Sequence, residues 1–271
     1  MSILETIVAH KLIEVAARKA ALPLAVLREE LAEAPRPRDF LAALLSPARP
    51  APHVIAEIKR RSPSKGELRP GLDAVELARI YEQNGASAIS VLTDERFFGG
   101  SMDDLRNVRA ATTLPILRKD FVIDSYQIYE ARLAGADAIL LIAAILTAEQ
   151  IAAYSHLAAE LGMAALVEVH NRAELTSALT AKANLMGINN RDLHTFNVTL
   201  DTTRALRPLI PTGISVVSES GIYTQADRES LRAMDIDALL VGESLLVSDD
   251  IAQATRLICG TSSQLSERSV A

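Results

Sequence analysis

Acidic and basic side chains end several apolar runs of this sequence, beginning with Glu57 and Lys59. Residues 54–59 have the composition of a strand, and side chains alternate between the two faces of a strand. Ile55, Glu57 and Lys59 therefore share one face, where a carboxylate and an ammonium could exchange protons with a ligand. Burying such a pair is costly unless both charges are compensated. An edge strand with a solvated ion pair is the alternative, and this stretch alone leaves both interpretations open.

The same pattern recurs further along the chain. Charged or amide side chains end four more predicted strands, at Lys119, Glu168, Glu219 and the pair Asn189 and Arg191. Lysines and glutamates in one site tune each other, because carboxylates keep the lysines charged while burial favours their neutral form. A proton-transfer group of this kind contributes about 10²–10⁴-fold to a rate when its pKa is suited to the task. The pattern therefore predicts acid–base chemistry.

The elements that position these residues alternate regularly. Apolar runs predict eight strands, at 54–59, 87–92, 115–119, 137–142, 164–169, 185–189, 214–219 and 237–241. Helical periodicity follows each, at 73–84, 102–112, 124–134, 147–161, 171–181, 200–208, 224–234 and 248–258. This order predicts an α/β protein with a (β/α)8 TIM barrel, whose active sites lie at the C-terminal ends of the strands. A doubly wound sheet is disfavoured, because no Gly-x-Gly-x-x-Gly turn follows the first strand.

A helical extension precedes the barrel. Helices are predicted at 3–20, 24–34 and 40–45, and the proline-rich segment 46–52 ends them. In the first helix, Leu12 belongs to the apolar stripe and Lys11 lies outside it. We expect a single domain consisting of the extension 1–52, the barrel 53–258 and a polar, frayed tail 259–271.

Composition limits the classes of function. The chain has 271 residues, and its net charge of −6 argues against non-specific binding to nucleic acid or to an acidic membrane. The lone Cys259 excludes an internal disulfide, and neither a signal peptide nor a membrane span is evident, so we expect a cytoplasmic protein. The histidines lack metal-ligand spacing, so no metal is expected. His170 shares a strand face with Glu168, where a role in a cap or turn is favoured over catalysis.

Two loops near the end of the barrel could bind an anion. Ser220-Gly221 follows the seventh strand, and Gly242-Glu243-Ser244 follows the eighth. Small residues there let backbone N–H groups converge, and these two loops frequently form a phosphate site in this architecture. Lys59, on the neighbouring first strand, could reach the same anion. The alternative is that the glycines only make tight turns.

Aromatic residues follow the second and third strands. Phe97, Phe98 and Phe121 are predicted at the same rim as Lys119, where rings suit a flat, apolar part of a substrate. Packing of long loops onto the barrel is the alternative interpretation.

Residues 55–66 resemble the signature of the indole-3-glycerol-phosphate synthase family. Further segments of this resemblance are 90–101, 117–121, 187–193 and 218–222, and it extends from the helical extension to residue 258. It implies a barrel with an extra N-terminal helical segment and an enzyme that needs no cofactor. The implied reaction closes the ring of 1-(2-carboxyphenylamino)-1-deoxyribulose 5-phosphate to give indole-3-glycerol phosphate, CO₂ and water.

The resemblance also implies roles for individual residues. Lys119 would protonate the ketone oxygen, and Lys59 would bind phosphate or carboxylate and protonate the departing hydroxyl. Glu168 would stabilise the positive nitrogen of the intermediate. Glu57, held by Asn189, would serve as base or proton relay.

Binding residues follow from the same resemblance. Those implied to bind the substrate are Ser62, Pro63, Phe98, Phe121, Leu140, Arg191, Leu193 and Glu219. Those implied to bind phosphate are Lys59, Ser220, Gly221, Gly242 and Glu243. Glu243 stands where a small residue is common, so a phosphate contact there would survive only through the backbone N–H.

Two other functions stay possible at this point. Another phosphosugar barrel, such as phosphoribosylanthranilate isomerase, would not require two lysines and Glu168. A catalytically silent phosphate-binding barrel would be expected to lack Lys119 or Glu168. The expected partner is a phosphosugar carrying an anthranilate group, and the protein is expected to be a monomer or to associate weakly with other enzymes of tryptophan biosynthesis.

Overall fold

The computed structural model describes residues 2–49, 51–193 and 195–261; the predicted tail lies outside it from residue 262 onward. The extension forms helices Ile3–Ala21, Leu24–Glu30 and Phe40–Leu44, and a short 3₁₀ turn, Leu31–Glu33, follows the second. Ser2 and Glu5 begin the first helix as a capping box, in which each side chain accepts a hydrogen bond from the other residue's backbone N–H. The three predicted helices are therefore present.

Eight parallel strands close into a barrel. Their bounds are His53–Ile58, Ala88–Leu92, Ile116–Lys119, Ala138–Ile142, Ala164–Val169, Leu185–Asn189, Ser215–Glu219 and Ala238–Val241. The first strand pairs with both the second and the eighth, which completes the ring. Each bound lies within one residue of the predicted one, and the (β/α)8 fold is confirmed.

Eight helices surround the barrel. They span Ala74–Gln83, Met102–Ala111, Tyr126–Leu133, Ala148–Glu160, Arg172–Thr180, Asp201–Leu206, Gln225–Arg232 and Ile251–Cys259, and a 3₁₀ turn, Arg207–Leu209, extends the sixth. Three short elements were not predicted. They are the helices Glu95–Phe98 and Glu243–Leu246, and a hairpin that pairs Arg61–Ser62 with Gly66–Glu67. All three lie in loops that follow strands, where propensity over a few residues is a weak signal.

The strands carry an apolar layer inside the barrel and a polar layer above it. Interior-facing Ile55, Leu117, Leu166, Val217 and Leu240 form one buried cluster, and Phe40 and Leu44 of the extension belong to it as well. The residue two positions after an interior apolar side chain lies on the same face, one layer nearer the C-terminal end. That next layer carries Glu57, Lys119, Glu168, Asn189 and Glu219. The periodicity of the strands thus delivers the predicted acid–base residues to one end of the barrel.

The first helix buries Ile7 and Val15 of the predicted apolar stripe, but Lys11 and Leu12 do not lie where the sequence predicted. Lys11, expected outside the apolar stripe, has a side chain that is 0% exposed, and its Nζ lies 3.0 Å from both Asp94 Oδ2 and Asp120 Oδ1. Leu12, expected inside the stripe, is 59% exposed. The two buried aspartates on the barrel rim explain this outcome, because removing Lys11 from the interface would leave their charges uncompensated.

Candidate active site

A cavity opens at the C-terminal ends of the strands, and its empty space, mouth included, is about 1180 Å³. Every residue predicted for the site lines it: Glu57, Lys59, Ser62, Pro63, Phe98, Lys119, Phe121, Leu140, Glu168, Asn189, Arg191, Leu193, Glu219, Ser220, Gly221, Gly242 and Glu243. The first helix adds Ile3, Leu4 and Ile7 to the wall. The extension therefore contributes to the mouth, which the sequence had left open.

Lys119 lies at the centre of the charged groups. Its Nζ is 3.2 Å from Glu168 Oε2 and 3.3 Å from Glu219 Oε2, and its side chain is 14% exposed. Burial acts to lower the pKa of Lys119, but Glu168, Glu219 and Glu57 outweigh it and raise that pKa above its ordinary value. The ammonium is therefore fully protonated before a substrate enters.

The two carboxylates beside Lys119 differ in charge state. Burial and the neighbouring Glu168 together raise the pKa of Glu219 to about 8, against the effect of Lys119. Burial acts in the same direction on Glu168, but Lys119 and His170 lower its pKa below the ordinary value. Because two carboxylates this close do not both ionise readily, Glu168 carries the charge and Glu219 tends to hold a proton.

Two glycines make room for buried carboxylates, Gly187 in the middle of strand Leu185–Asn189 and Gly242 directly after strand Ala238–Val241. A Cβ at Gly187 would lie 2.2 Å from Glu219 Oε1, and one at Gly242 would lie 2.6 Å from Glu57 Oε1. Any larger residue would displace these acids, which explains glycine at both positions.

Glu57 pairs with Lys59 and not with Asn189. Glu57 Oε1 lies 2.5 Å from Lys59 Nζ. Burial would raise the pKa of Glu57, but Lys59 and Lys119 lower it, so the carboxylate is ionised. Asn189 Oδ1 instead accepts a hydrogen bond from the backbone N–H of Arg191 at 3.0 Å. Asn189 therefore orients the loop that carries Arg191.

The loop after the seventh strand has the geometry of a tight backbone turn. Ser220 and Gly221 have φ angles of 66° and 77°, in the left-handed region. Asn190 Nδ2 donates hydrogen bonds to the carbonyl oxygens of Glu219 and Ser220 at 3.0 and 3.1 Å. Because Asn190 engages the carbonyl oxygens, the opposite edge of this turn is the one that can present N–H groups to the cavity.

Glu243 lies in a third charge cluster, at the rim. Its Oε2 is 3.1 Å from Arg191 Nη2, and its Oε1 is 3.6 Å from Lys65 Nζ and 3.4 Å from the hydroxyl of Tyr223. Arg191 Nη1 also donates to Ser64 Oγ at 3.4 Å. The Glu243 carboxylate thus neutralises two cations beside the expected phosphate loops and connects them to the loop after the first strand.

Apolar side chains form the remaining wall. The rings of Phe98 and Phe121 lie 5.9 Å apart between centroids and are tilted by 35°. Pro63, Leu140 and Leu193 lie in the same lining. A flat aromatic group in this region would contact rings and aliphatic carbons only.

Three features of the site were not predicted from the sequence. Phe97, expected near the cavity, packs edge-on against His10 with centroids 5.8 Å apart and is not part of the lining. Tyr223 lines the rim without having been predicted. His170 contacts Glu168, which the shared strand face indicated but residue type alone could not decide.

The described residues bear on metals and membranes as well. Within residues 2–49, 51–193 and 195–261, no group of His, Cys, Asp and Glu side chains is arranged to hold a metal ion. None of the helices in those ranges has the length and apolarity required to cross a bilayer.

Solved structures share the fold. The chain is similar to 3-hexulose-6-phosphate synthase from Salmonella typhimurium, with a TM-score of 0.64, 14% identity and coverage of 78% of this chain and 99% of that one. It is also similar to thiamine phosphate pyrophosphorylase from Pyrococcus furiosus, with a TM-score of 0.59, 17% identity and coverage of 85% and 100%. At these identities the likeness shows the barrel alone.

Sequence comparison goes further than the fold. The family model of indole-3-glycerol phosphate synthase matches residues 4–258. Relatives of that name from Dehalococcoides mccartyi and Dechloromonas aromatica are 51% and 50% identical over 257 residues, covering 94% of this chain and 98% of theirs. One from Roseiflexus sp. is 49% identical over 269 residues, covering 96% and 99%. The chain therefore belongs to the indole-3-glycerol phosphate synthase family, the decarboxylating lyases that form indole-3-glycerol phosphate in tryptophan biosynthesis.

Proposed function

We propose that Lys119 is the general acid of the ring closure. The observation that supports this role is its position, since its ammonium is largely buried, lies 3.2 Å from Glu168 and lines the same cavity as Phe98, Phe121 and Ser220. As the aromatic carbon that bears the carboxylate attacks the ketone carbon, Lys119 donates a proton to the ketone oxygen. Loss of CO₂ restores the ring, and loss of water then completes the indole.

The other charged groups divide the remaining steps. Ionised Glu168, next to Lys119, stabilises the positive nitrogen that develops when the ring carbon attacks the ketone and again when water departs. Lys59 protonates the departing hydroxyl, and Glu57, 2.5 Å from Lys59, relays the proton or accepts one from the ring. Lys59 and Glu57, like Lys119 and Glu168, already lie within ion-pair distance of each other, so little rearrangement is required during the reaction.

Binding follows the division of the cavity into apolar and polar walls. Phe98, Phe121, Leu140, Leu193 and Pro63 enclose the anthranilate ring. Ser62, Arg191 and Glu219 complete the substrate contacts, with Arg191 orienting the substrate carboxylate. The phosphate binds to backbone N–H groups at Ser220, Gly221, Gly242 and Glu243, and Lys59 adds a positive charge.

Replacing Lys119 tests the proposal. The natural substrate is incubated with wild-type protein and with Lys119→Met, and product is followed by indole fluorescence. We expect kcat to fall at least about 10³-fold, because the only proton donor at the ketone is removed. Lys182→Met, an exposed substitution outside the cavity lining, is the matched control and should retain wild-type turnover.

Other outcomes separate the alternatives. Substantial turnover by folded Lys119→Met would contradict the assignment of the acid. Absence of product with folded wild-type protein would favour a silent phosphate-binding barrel. The family match already disfavours phosphoribosylanthranilate isomerase, which is a different enzyme from the named relatives.

We also propose that the protein acts in the cytoplasm on a phosphosugar carrying an anthranilate group, as a monomer or in weak association with other enzymes of tryptophan biosynthesis. The single cysteine supports a reducing compartment, and the net charge of −6 disfavours nucleic acid as a partner. Sedimentation at micromolar concentration should return the 29.2 kDa mass of one chain, and a stable dimer would contradict the proposal.

A further inference from the structure

His170 lies behind Glu168, on the side away from the cavity lining. Its side chain is only 8% exposed, with Nε2 3.3 Å from Glu168 Oε1 and Nδ1 2.9 Å from Glu174 Oε2. Glu168 Oε2 faces Lys119 at 3.2 Å. Each oxygen of the Glu168 carboxylate therefore lies within ion-pair distance of one nitrogen, and of the two partners only Lys119 lines the cavity.

Local structure fixes the imidazole in place. Glu174 lies in the first turn of helix Arg172–Thr180, and its Oε2 also accepts the backbone N–H of His170 at 2.8 Å. The other oxygen of Glu174 accepts a hydrogen bond from Asn171 Nδ2 at 2.6 Å. Both the backbone and the ring of His170 are thus tied to one anchored carboxylate, which leaves the ring little freedom to rotate.

The two contacts determine the charge of the ring. A neutral imidazole carries one N–H, so one of its nitrogens would direct a lone pair at a carboxylate, whereas an imidazolium donates from both nitrogens. Burial lowers the pKa of His170, but Glu168 and Glu174 outweigh it and raise the pKa to about 10. The other titratable groups that act on Glu168 are Lys119, Glu219 and Glu57, all of which line the cavity.

We propose that His170 is a positioning residue for the reaction, whose imidazolium holds the Glu168 carboxylate ionised and oriented toward Lys119. The inference rests on the role proposed above for Glu168. Without the imidazolium, one oxygen of a buried carboxylate would lose its partner, and Glu168 would compete with Glu219 for the proton that the pair holds. His170 would then affect turnover without touching the substrate.

His170→Gln tests this inference, because glutamine keeps a neutral donor and removes the charge. We expect kcat to fall about tenfold with KM nearly unchanged, since the lost contact is to a charged group that acts during the reaction. The acidic limb of the kcat profile should move to higher pH by about one unit, because a cation no longer favours the ionised carboxylate. His156→Gln is the matched control, since His156 faces Glu160 at 3.3 Å but is 78% exposed, and its profile should stay wild-type.

A structural lesion would give a different result. It would lower the plateau of the kcat profile without moving the acidic limb. A folded His170→Gln protein whose acidic limb does not move, or whose kcat equals that of wild type, overturns the inference. Should His170→Gln fail to fold, Glu174→Gln keeps an acceptor for the His170 backbone and weakens the imidazolium. It should shift the acidic limb in the same direction by a smaller amount, and an unmoved limb counts against the inference.

The double variant separates this inference from the proposed function. In a Glu168→Gln background, His170→Gln should reduce single-turnover rates by less than about twofold, because its effect passes through the missing carboxylate. A tenfold further loss would show that His170 acts independently and would overturn the inference. If Glu168→Gln alone keeps wild-type kcat, the proposed role of Glu168 fails; if it is inactive while His170→Gln is normal, only the inference fails.

Discussion

Two buried lysines, Lys11 and Lys119, have similar surroundings and different exposure. Lys11 Nζ lies 2.9–3.0 Å from the carboxylates of Glu14, Asp94 and Asp120, and its side chain is 0% exposed. Lys119 has two carboxylates slightly further away and is 14% exposed, toward the cavity. An ammonium enclosed on all sides has no proton acceptor outside its cluster, whereas one that faces a cavity can donate to a ligand. Access distinguishes the two sites more than charge composition does.

The end of the third strand supplies both clusters. Arg118 Nη2 lies 3.0 Å from Asp120 Oδ2, and Arg118 Nε donates to Thr93 Oγ1 at 3.1 Å. Lys119 and Phe121 alternate along the chain with Arg118 and Asp120, and both line the cavity. Because neighbouring side chains on a strand point in opposite directions, the enclosed ion cluster fixes the backbone from which the reactive lysine projects. The comparison therefore predicts that stability depends on Lys11 and catalysis on Lys119.

Lys11→Met should produce the largest loss of stability. It leaves Asp94 and Asp120 buried with less compensating charge, and breaking a buried ion pair on one side costs about 3–5 kcal/mol. We expect the free energy of unfolding, measured by urea titration at pH 7, to fall by that amount. Lys19→Met is the control, because Lys19 pairs with Asp124 but is 42% exposed, and surface pairs contribute about 0–1 kcal/mol.

Turnover sharpens the same comparison. Folded Lys11→Met should keep most of its kcat at a temperature where it is native, whereas Lys119→Met should lose kcat. If Lys11→Met is as stable as wild type, the ion pairs of Lys11 do not stabilise the end of the third strand.

The barrel was predictable because each of its strands has a distinct apolar run bounded by polar or small residues. Interior and exterior faces followed from alternation, which placed Glu57 and Glu168 correctly without any knowledge of contacts. The burial of Lys11 in the first helix was not predictable. The apolar stripe of that helix is ambiguous in sequence, and the deciding partners of Lys11 lie more than eighty residues away, at Asp94 and Asp120.

The site was predictable as a set of residues, while its pairings were not. Strand ends and the family resemblance indicated which side chains meet at the mouth of the barrel. Alternation along the first strand made a contact between Glu57 and Lys59 possible, but nothing indicated that Asn189 would accept a hydrogen bond from Arg191 and not hold Glu57, because that choice depends on loop conformation at the scale of an ångström. His170 was undervalued for a similar reason, since only the position of Glu174 one helical turn on reveals that both ring nitrogens face carboxylates.

Glu219→Gln should alter the pH dependence of stability. The folded pKa of Glu219, about 8, lies above its ordinary 4.5, so the contribution of this carboxyl is fully present below about pH 4.5 and is lost as pH rises through 8. Glutamine does not titrate. Relative to the variant, wild-type protein should therefore lose unfolding free energy on the order of 3 kcal/mol between pH 5 and pH 8.

Urea titrations at four pH values between 5 and 8 measure this difference. Glu160→Gln is the control, because Glu160 is 59% exposed, and its curve should run parallel to that of wild type. Parallel curves for Glu219→Gln as well would mean that Glu219 is ionised throughout. The cavity cluster would then hold its charges as the enclosed Lys11 cluster does.

Glu243→Gln should give the smallest effect, because the Glu243 cluster is more open than the clusters of Lys11 and Lys119, with Lys65 57% exposed. The substitution removes a negative charge beside the proposed phosphate loops and frees Arg191 and Lys65 to meet an anion. Inorganic phosphate should therefore inhibit the variant at about threefold lower concentration than wild type, and added salt should reduce the difference. Glu67→Gln, an exposed change of the same charge in the nearby hairpin, should leave inhibition unaltered. Weaker inhibition of Glu243→Gln would instead mean that Glu243 orders the loop onto which phosphate binds, so that even at the open rim fixed geometry would outweigh charge repulsion.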